Sequence, residues 1–375
     1  MHTAPKFTST SSKLFWITLV WGIIFAFIRL FEFSLIYAGY FVVYSIAMAV
    51  GYLGLLTLFI LSIIYWRENR KIVSWPYIPL LLSILLIVCG LMKSFFPMHS
   101  IYGYQNANEL IYQWHMPGHI DGKVPAIVCF GGSEGGIYGA NIMAEKFSRN
   151  NYAALAIAYF NLDSLPKELE NIPLEYFEKA FKLIKSNPMV DTNKIAVYGG
   201  SRGAELALLL ATKYPDEIKA VVAMAPSAYV FQGFTPHDLT RRNSSWSYNK
   251  QPLPFIPYLY DETALKGGNT LGMFIISIGQ LEYRDAATIE VEKINGPVLL
   301  ISGEDDQIWP SSLMAEQIVK RLKDHNFHFM YKHLNYKNAG HAFMTTSWGG
   351  TKEGNDFAES DSWNKTLAFL HDAFK

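Results

Sequence analysis

The chain has 375 residues, of which 50% are hydrophobic, 15% aromatic and only 17% charged, with 32 basic and 32 acidic side chains. A neutral chain of this kind carries no overall electrostatic footprint for nucleic acid, and its apolar content excludes a disordered polymer. Two cysteines, Cys89 and Cys129, make neither a disulfide framework nor a cysteine-based zinc site.

Charge is distributed unevenly. Residues 1–96 hold Lys6, Lys13, Arg29, Arg67, Arg70, Lys71 and Lys93 against Glu32 and Glu68 only. Leu14 to Ile28, Phe33 to Trp66 and Ile72 to Met92 carry no charge at all. A helix needs about 20 apolar residues to cross a bilayer. The second stretch would rise about 51 Å as one helix, too far for a single span, so a turn is expected near Ala38–Gly39. This predicts an all-α transmembrane domain over 1–96 with three helices, 14–34, 40–65 and 77–95; two or four spans are the alternatives. Buried core helices would show a polar face, and these stretches have almost none. A cleavable signal peptide fits the first stretch and not the other two. The lipid bilayer is thus an expected partner. Five basic residues on the side of the N-tail and the second loop, against two on the other, put those segments in the cytoplasm. The domain after the third span is then expected outside it.

From about Ile101 short apolar runs alternate with amphipathic stretches. Strands are expected at 126–130, 153–159, 195–198, 220–225, 298–301 and 328–333, and helices at 140–150, 174–186, 203–213 and 311–325. Such alternation predicts an α/β domain over 97–375, with a mostly parallel sheet and helices on both faces. About 65 residues, 229–293, interrupt it with Pro236, Pro252, Pro254, Pro257 and Gly267–Gly268, the signature of an insert or lid. Its aromatics Tyr229, Phe231, Phe234, Trp246, Tyr248, Phe255, Tyr258 and Tyr260 suit an acyl pocket or internal packing equally.

Three turns carry the chemistry. Gly199-Gly200-Ser201-Arg202-Gly203 is a G-x-S-x-G between the run KIAVY and the helical pattern AELALLLA, the strand–turn–helix setting of a nucleophile elbow. The competing reading makes Ser201 a helix cap. A serine nucleophile needs a base and an orienting acid, which follow it in the order acid, then histidine, in α/β-hydrolases. Gly303-Glu304-Asp305-Asp306 offers Asp306, three residues after the glycine and four before Pro310, in preference to Asp305. The small residues Ala339 and Gly340 precede His341, the expected base. His325, His328 and His333 lack metal-ligand spacing, and no metal is expected. Phe130-Gly131-Gly132-Ser133-Glu134-Gly135-Gly136 supplies the third turn. Acyl transfer needs backbone N–H donors aimed at the oxyanion. Arg202 and Gly132 are the expected pair, with Ser133 next after Gly132. Neither G-x-G-x-x-G nor G-x-x-x-x-G-K-[ST] is satisfied, so no nucleotide cofactor is expected.

The run AYFNLDSLPKELENIPLEYFEKAFKLIKSNPMV, with IAVYGGSRGAELAL, IEVEKINGPVLLISGEDDQIWPSS and AGHAF, resembles the C-terminal catalytic domain of the acyl-CoA thioesterase and bile acid-CoA:amino acid N-acyltransferase family. The resemblance runs from about Val124 to His341. It implies an α/β-hydrolase fold, an acyl ester or thioester substrate, and Ser201, Asp306 and His341 as nucleophile, acid and base. The acyltransferase branch uses cysteine, so serine here favours hydrolysis over transfer to an amine or alcohol. A membrane domain stands where the family has an N-terminal β-sandwich. A noncatalytic sensor on the same fold is the reading from another class; an intact Ser, Asp and His in order argues against it.

Overall fold

The apolar runs of the C-terminal part become strands of one eight-stranded sheet. The structure, a computed structural model, describes residues 104–107, 109–235, 238, 241–259 and 270–375. The three expected spans lie outside the described residues, as do Pro236, Tyr260, Gly267 and Gly268 of the insert. Among the described residues no helix is long and apolar enough to cross a membrane.

The sheet strands are β1 (Gln105–Ala107), β2 (Leu110–His115), β3 (Val124–Phe130), β4 (Ala153–Ala158), β5 (Val190–Gly200), β6 (Ala220–Met224), β7 (Val298–Gly303) and β8 (Tyr331–Tyr336). Their spatial order is β1-β2-β4-β3-β5-β6-β7-β8. β1 and β2 are antiparallel, and β2 is antiparallel to β4. The other pairs are parallel. This mostly parallel sheet with helices is the α/β-hydrolase fold.

The helices are α1 (Tyr138–Ser148), α2 (Glu178–Ser186), α3 (Arg202–Lys213), α4 (Thr270–Ile278), α5 (Leu281–Ala287), α6 (Ser311–Asp324) and α7 (Lys352–Ala373). Successive strand residues point to opposite faces. Ala126, Val128, Phe130, Ile195 and Val197 therefore pack with α2, α3 and α6, whereas Ile127, Cys129, Ala196 and Tyr198 pack with α1 and α7. With both faces covered, the inner strands are apolar at nearly every position, which is why they read as continuous runs.

β8 begins three residues later than the 328–333 expected. It is an edge strand whose buried positions are Leu334 and Tyr336. Its register is set by pairing Val298 with Tyr331. The aromatic cluster Phe327–Phe329 stands before it. The insert is not a detached flap. Phe231 and Trp246 are wholly buried, and Tyr229, Ile256 and Tyr258 join the same core. Trp246–Tyr248 also pairs with Ile172–Pro173 and Gln251–Pro252 in a small second sheet. Internal packing thus claims Phe231, Trp246 and Tyr258, while Phe234 is exposed.

Candidate active site

β3, β5, β7 and β8 end level with one another: Phe130 pairs with Gly199, Gly200 with Met224, Met224 with Ile301, and Gly303 with Tyr336. The three chemical turns therefore gather at the carboxyl edge of the parallel sheet, where α/β folds bind ligands.

At the end of β5 the chain reverses sharply. Ser201 has φ 56° and ψ −120°, a region that costs a residue with a Cβ of the order of 1–3 kcal/mol. The turn is held by Ser201 N–H donating to Met224 O at 2.8 Å, and by Ser201 O accepting from Ala204 N at 2.9 Å and Glu205 N at 3.2 Å. The Ser201 side chain makes no capping bond to α3, which removes the helix-cap reading. A Cβ on Gly199 would lie 1.9 Å from Gly203 O, and one on Gly203 would lie 2.3 Å from Gly131 O. Both flanking glycines are thus demanded by backbone passing backbone.

The acid and the histidine meet directly. His341 Nδ1 lies 2.8 Å from Asp306 Oδ2, and both side chains are almost wholly buried. The same Oδ2 accepts the Ser311 hydroxyl at 2.6 Å, while Oδ1 accepts the N–H groups of Ile308 at 2.9 Å and Trp309 at 3.2 Å. Every lone pair facing inward is used, as a buried carboxylate requires. Asp305 turns away, accepting Gln307 Nε2 and Gly350 N–H, each at 2.8 Å. The imidazole meets the rings of Trp309 and Trp348, with centroids 6.1 and 6.0 Å away and both contacts T-shaped. Its loop is tied to α7, where Asn355 Oδ1 accepts Gly340 N–H at 2.8 Å and Nδ2 donates to Gly349 O at 3.2 Å.

No hydrogen bond joins Ser201 Oγ to His341 among the described residues. The Arg202 N–H likewise meets no acceptor there. Gly132 lies against the elbow, since a Cβ on it would fall 3.1 Å from Gly200 O and 3.2 Å from Ser201 Cβ. Its N–H, however, donates to Glu134 Oε1 at 2.9 Å. The Tyr159 hydroxyl donates to Gly131 O at 2.6 Å and fixes the same loop from behind.

The Arg202 side chain serves the fold. Its guanidinium is buried and pairs with buried Glu205 at 2.7 Å. It also donates to Gln232 O at 3.0 Å and to the Ser245 hydroxyl. Glu205 Oε1 accepts Trp246 Nε1 at 2.7 Å and Phe231 N–H at 3.3 Å. Burial pushes the Glu205 carboxyl up to about 7, against the pull of Arg202 and of the two N–H donors. The insert is therefore pinned to the first turn of α3 by one buried charge pair. A lone buried charge would be strongly destabilising, so the pair acts as a unit.

The remaining histidines stand elsewhere. His333 on β8 contacts the Ser302 hydroxyl at 2.7 Å, His325 bonds Arg321 O at 2.9 Å, and His328 stacks near Phe329. Sequence reasoning missed Asn355, Ser311 and Glu134. Glu134 was visible as the one charge in a glycine loop. Asn355 had no such signal, because it lies in a helix without an apolar stripe.

The family model described as BAAT / Acyl-CoA thioester hydrolase C terminal matches residues 172–346. That range contains Ser201, Asp306 and His341 and leaves out the Gly131–Gly136 loop. Mouse acyl-coenzyme A thioesterase 2, mitochondrial (Mus musculus), is 27% identical over 270 residues, covering 67% of this chain and 55% of the relative. Mouse peroxisomal succinyl-coenzyme A thioesterase is 28% identical over 273 residues, covering 66% and 60%. The chain thus spans little more than half the length of the curated relatives it matches. Among solved structures, the dienelactone hydrolase-like promiscuous phosphotriesterase P91 from metagenomic libraries is 17% identical, with 72% of this chain and 95% of that one covered and a TM-score of 0.45.

Proposed function

Because residues 172–346 match the family model described as BAAT / Acyl-CoA thioester hydrolase C terminal, we propose that the protein hydrolyses an acyl thioester or ester through an acyl-enzyme on Ser201. The observation that carries this reading is the buried contact of His341 Nδ1 with Asp306 Oδ2 at 2.8 Å, on the same sheet edge as a serine held at positive φ.

In this reading Asp306 fixes the imidazole with Nδ1 protonated, which leaves Nε2 as the base. Nε2 takes the Ser201 proton as Oγ attacks the acyl carbonyl carbon. The Ser201–His341 hydrogen bond, open in the free protein, closes in the substrate complex, as catalytic hydrogen bonds often do. The carbonyl oxygen gains negative charge and is received by the N–H groups of Arg202 and Gly132. The tetrahedral intermediate collapses, His341 gives its proton to the departing thiolate or alkoxide, and water then releases the acid by the same steps in reverse.

The test is turnover of an acyl-CoA panel beside simple oxygen esters, using full-length protein in detergent, with and without glycine or taurine. Thioester cleavage to free acid is expected. Ser201→Ala should lower it by about a thousandfold or more and abolish labelling by a fluorophosphonate. Normal turnover by Ser201→Ala would overturn the assignment, and amide product would redirect it to transfer.

Residues 1–96 are proposed to anchor this hydrolase in a bilayer, with the catalytic domain on the extracytoplasmic side. Support comes from the three charge-free stretches and the five-to-two basic bias of the sequence. A reporter fused after His99 should be active only when it requires export. Activity confined to a cytoplasmic reporter would overturn the three-span arrangement and favour an intracellular acyl-CoA.

A further inference from the structure

Three glycines surround one carboxylate beside the elbow. Glu134 folds back over its own loop. Its Oε1 takes the Gly132 N–H at 2.9 Å and lies 2.5 Å from where a Cβ on Gly131 would stand and 2.3 Å from one on Gly139. Its Oε2 and the Ser201 Cβ lie 3.0 and 3.2 Å from a single point, the place of a Cβ on Gly132. A side chain at Gly131 or Gly139 would evict the carboxylate and one at Gly132 would crowd it, so the glycines keep a cradle for it.

That cradle lies where the proposed reaction needs an empty donor. A single N–H cannot serve a carboxylate and a developing oxyanion at full strength together. A second anion next to the first is also repelled in a dry site. The Arg202 N–H meets no acceptor among the described residues, whereas the Gly132 N–H is taken. Burial raises the Glu134 carboxyl above its ordinary range, and its own N–H, the Gly132 N–H and the nearby His341 oppose that shift. As a residue Glu134 is half-buried, and releasing the N–H requires its side chain to swing outward.

We propose that Glu134 is a self-blocking residue of the acyl site: its carboxylate holds the Gly132 N–H in the free protein and must give it up before the oxyanion can be received. The inference rests on Ser201 being the nucleophile. The cost of displacing the carboxylate is a property of the free enzyme and lowers kcat/KM by the same factor for every substrate, as for any protein whose competent state is only partly populated.

The experiment compares wild type, Glu134→Ala and Glu134→Gln, as full-length protein in detergent. It measures the rate of Ser201 labelling by a small fluorophosphonate, and kcat/KM for p-nitrophenyl acetate and for palmitoyl-CoA. In Glu134→Ala the labelling rate and kcat/KM for both substrates should rise together, about tenfold. Glu134→Gln keeps the volume and loses the charge. It should accelerate labelling about threefold, and it carries the test where Glu134→Ala does not fold. Equal slowing of small and large substrates in both variants would make Glu134 a strut of the loop and overturn the gate alone. Wild-type labelling that survives Ser201→Ala, or fails altogether, would overturn the nucleophile and the gate with it.

Discussion

The carboxamide oxygen of Asn355 accepts the backbone N–H of Gly340 at 2.8 Å, one residue before His341. The same side chain donates to Gly349 O at 3.2 Å, so one group on α7 closes both ends of the histidine loop. Asn355→Ala leaves a buried N–H and a buried carbonyl without partners, at about 1–3 kcal/mol each in the unrelaxed limit. Melting temperature should fall. If His341 shifts by as much as 1 Å, kcat should fall by about a hundredfold. A variant that melts early yet keeps wild-type kcat would show that α7 stabilises the loop without aligning the base.

Asp306 and Asp305 are neighbours with different partners, and a pair of variants separates them. Asp306→Asn keeps acceptors for Ile308 and Trp309 but favours the wrong imidazole tautomer, so kcat should drop about 10³–10⁴-fold. Asp305→Asn touches only Gln307 and Gly350, and its loss should stay below about tenfold. Steady-state rates on one thioester decide, and the reverse ranking would exchange their roles.

Gly203 sits in the first turn of α3, where alanine ordinarily gains about 1 kcal/mol over glycine. Here the sign should reverse, because the added Cβ would stand 2.3 Å from Gly131 O and 2.8 Å from Phe130 O. Gly203→Ala should destabilise by about 1–3 kcal/mol and push the Gly131–Gly136 loop off the elbow. Denaturant unfolding measures the first effect and fluorophosphonate labelling the second. A stabilised, fully reactive variant would contradict the packing described.

Glu205 gives the stability a pH dependence of definite sign. Its carboxyl is raised from 4.5 to about 7 in the folded protein. A group raised in this way contributes stability that is complete below its unfolded value and is lost as pH rises through its folded value. Thermal melts should therefore carry a falling component between about pH 4.5 and 7 in wild type, and Glu205→Gln should lack it. Parallel curves for the two chains would show that this carboxyl does not titrate with folding.

Much of this was readable in the residues, for identifiable reasons. Strands β3 to β7 announced themselves because they are buried on both faces. The elbow was legible because Gly199 and Gly203 flank a serine between a strand and a helix. The hairpin β1–β2 was silent, being short and only partly covered. Helix α7 was silent for a subtler reason. Its buried positions include Asn355, Ser362 and Thr366 beside Ala358, Phe369 and Leu370, so its inward stripe has helical spacing without being apolar. Glu134 stood in plain view, yet composition does not tell which way a side chain folds.

The backbone of Ser201 sets activity and durability against each other. Glycine at that position would relieve a steric cost of about 1–3 kcal/mol and forfeit about 0.5–1 kcal/mol in chain flexibility. Ser201→Gly should accordingly match or outlast the natural chain on heating while lacking the hydroxyl on which the proposed chemistry depends. Selection for heat resistance alone would enrich the silent form. A serine at so strained a bend serves a demand other than stability.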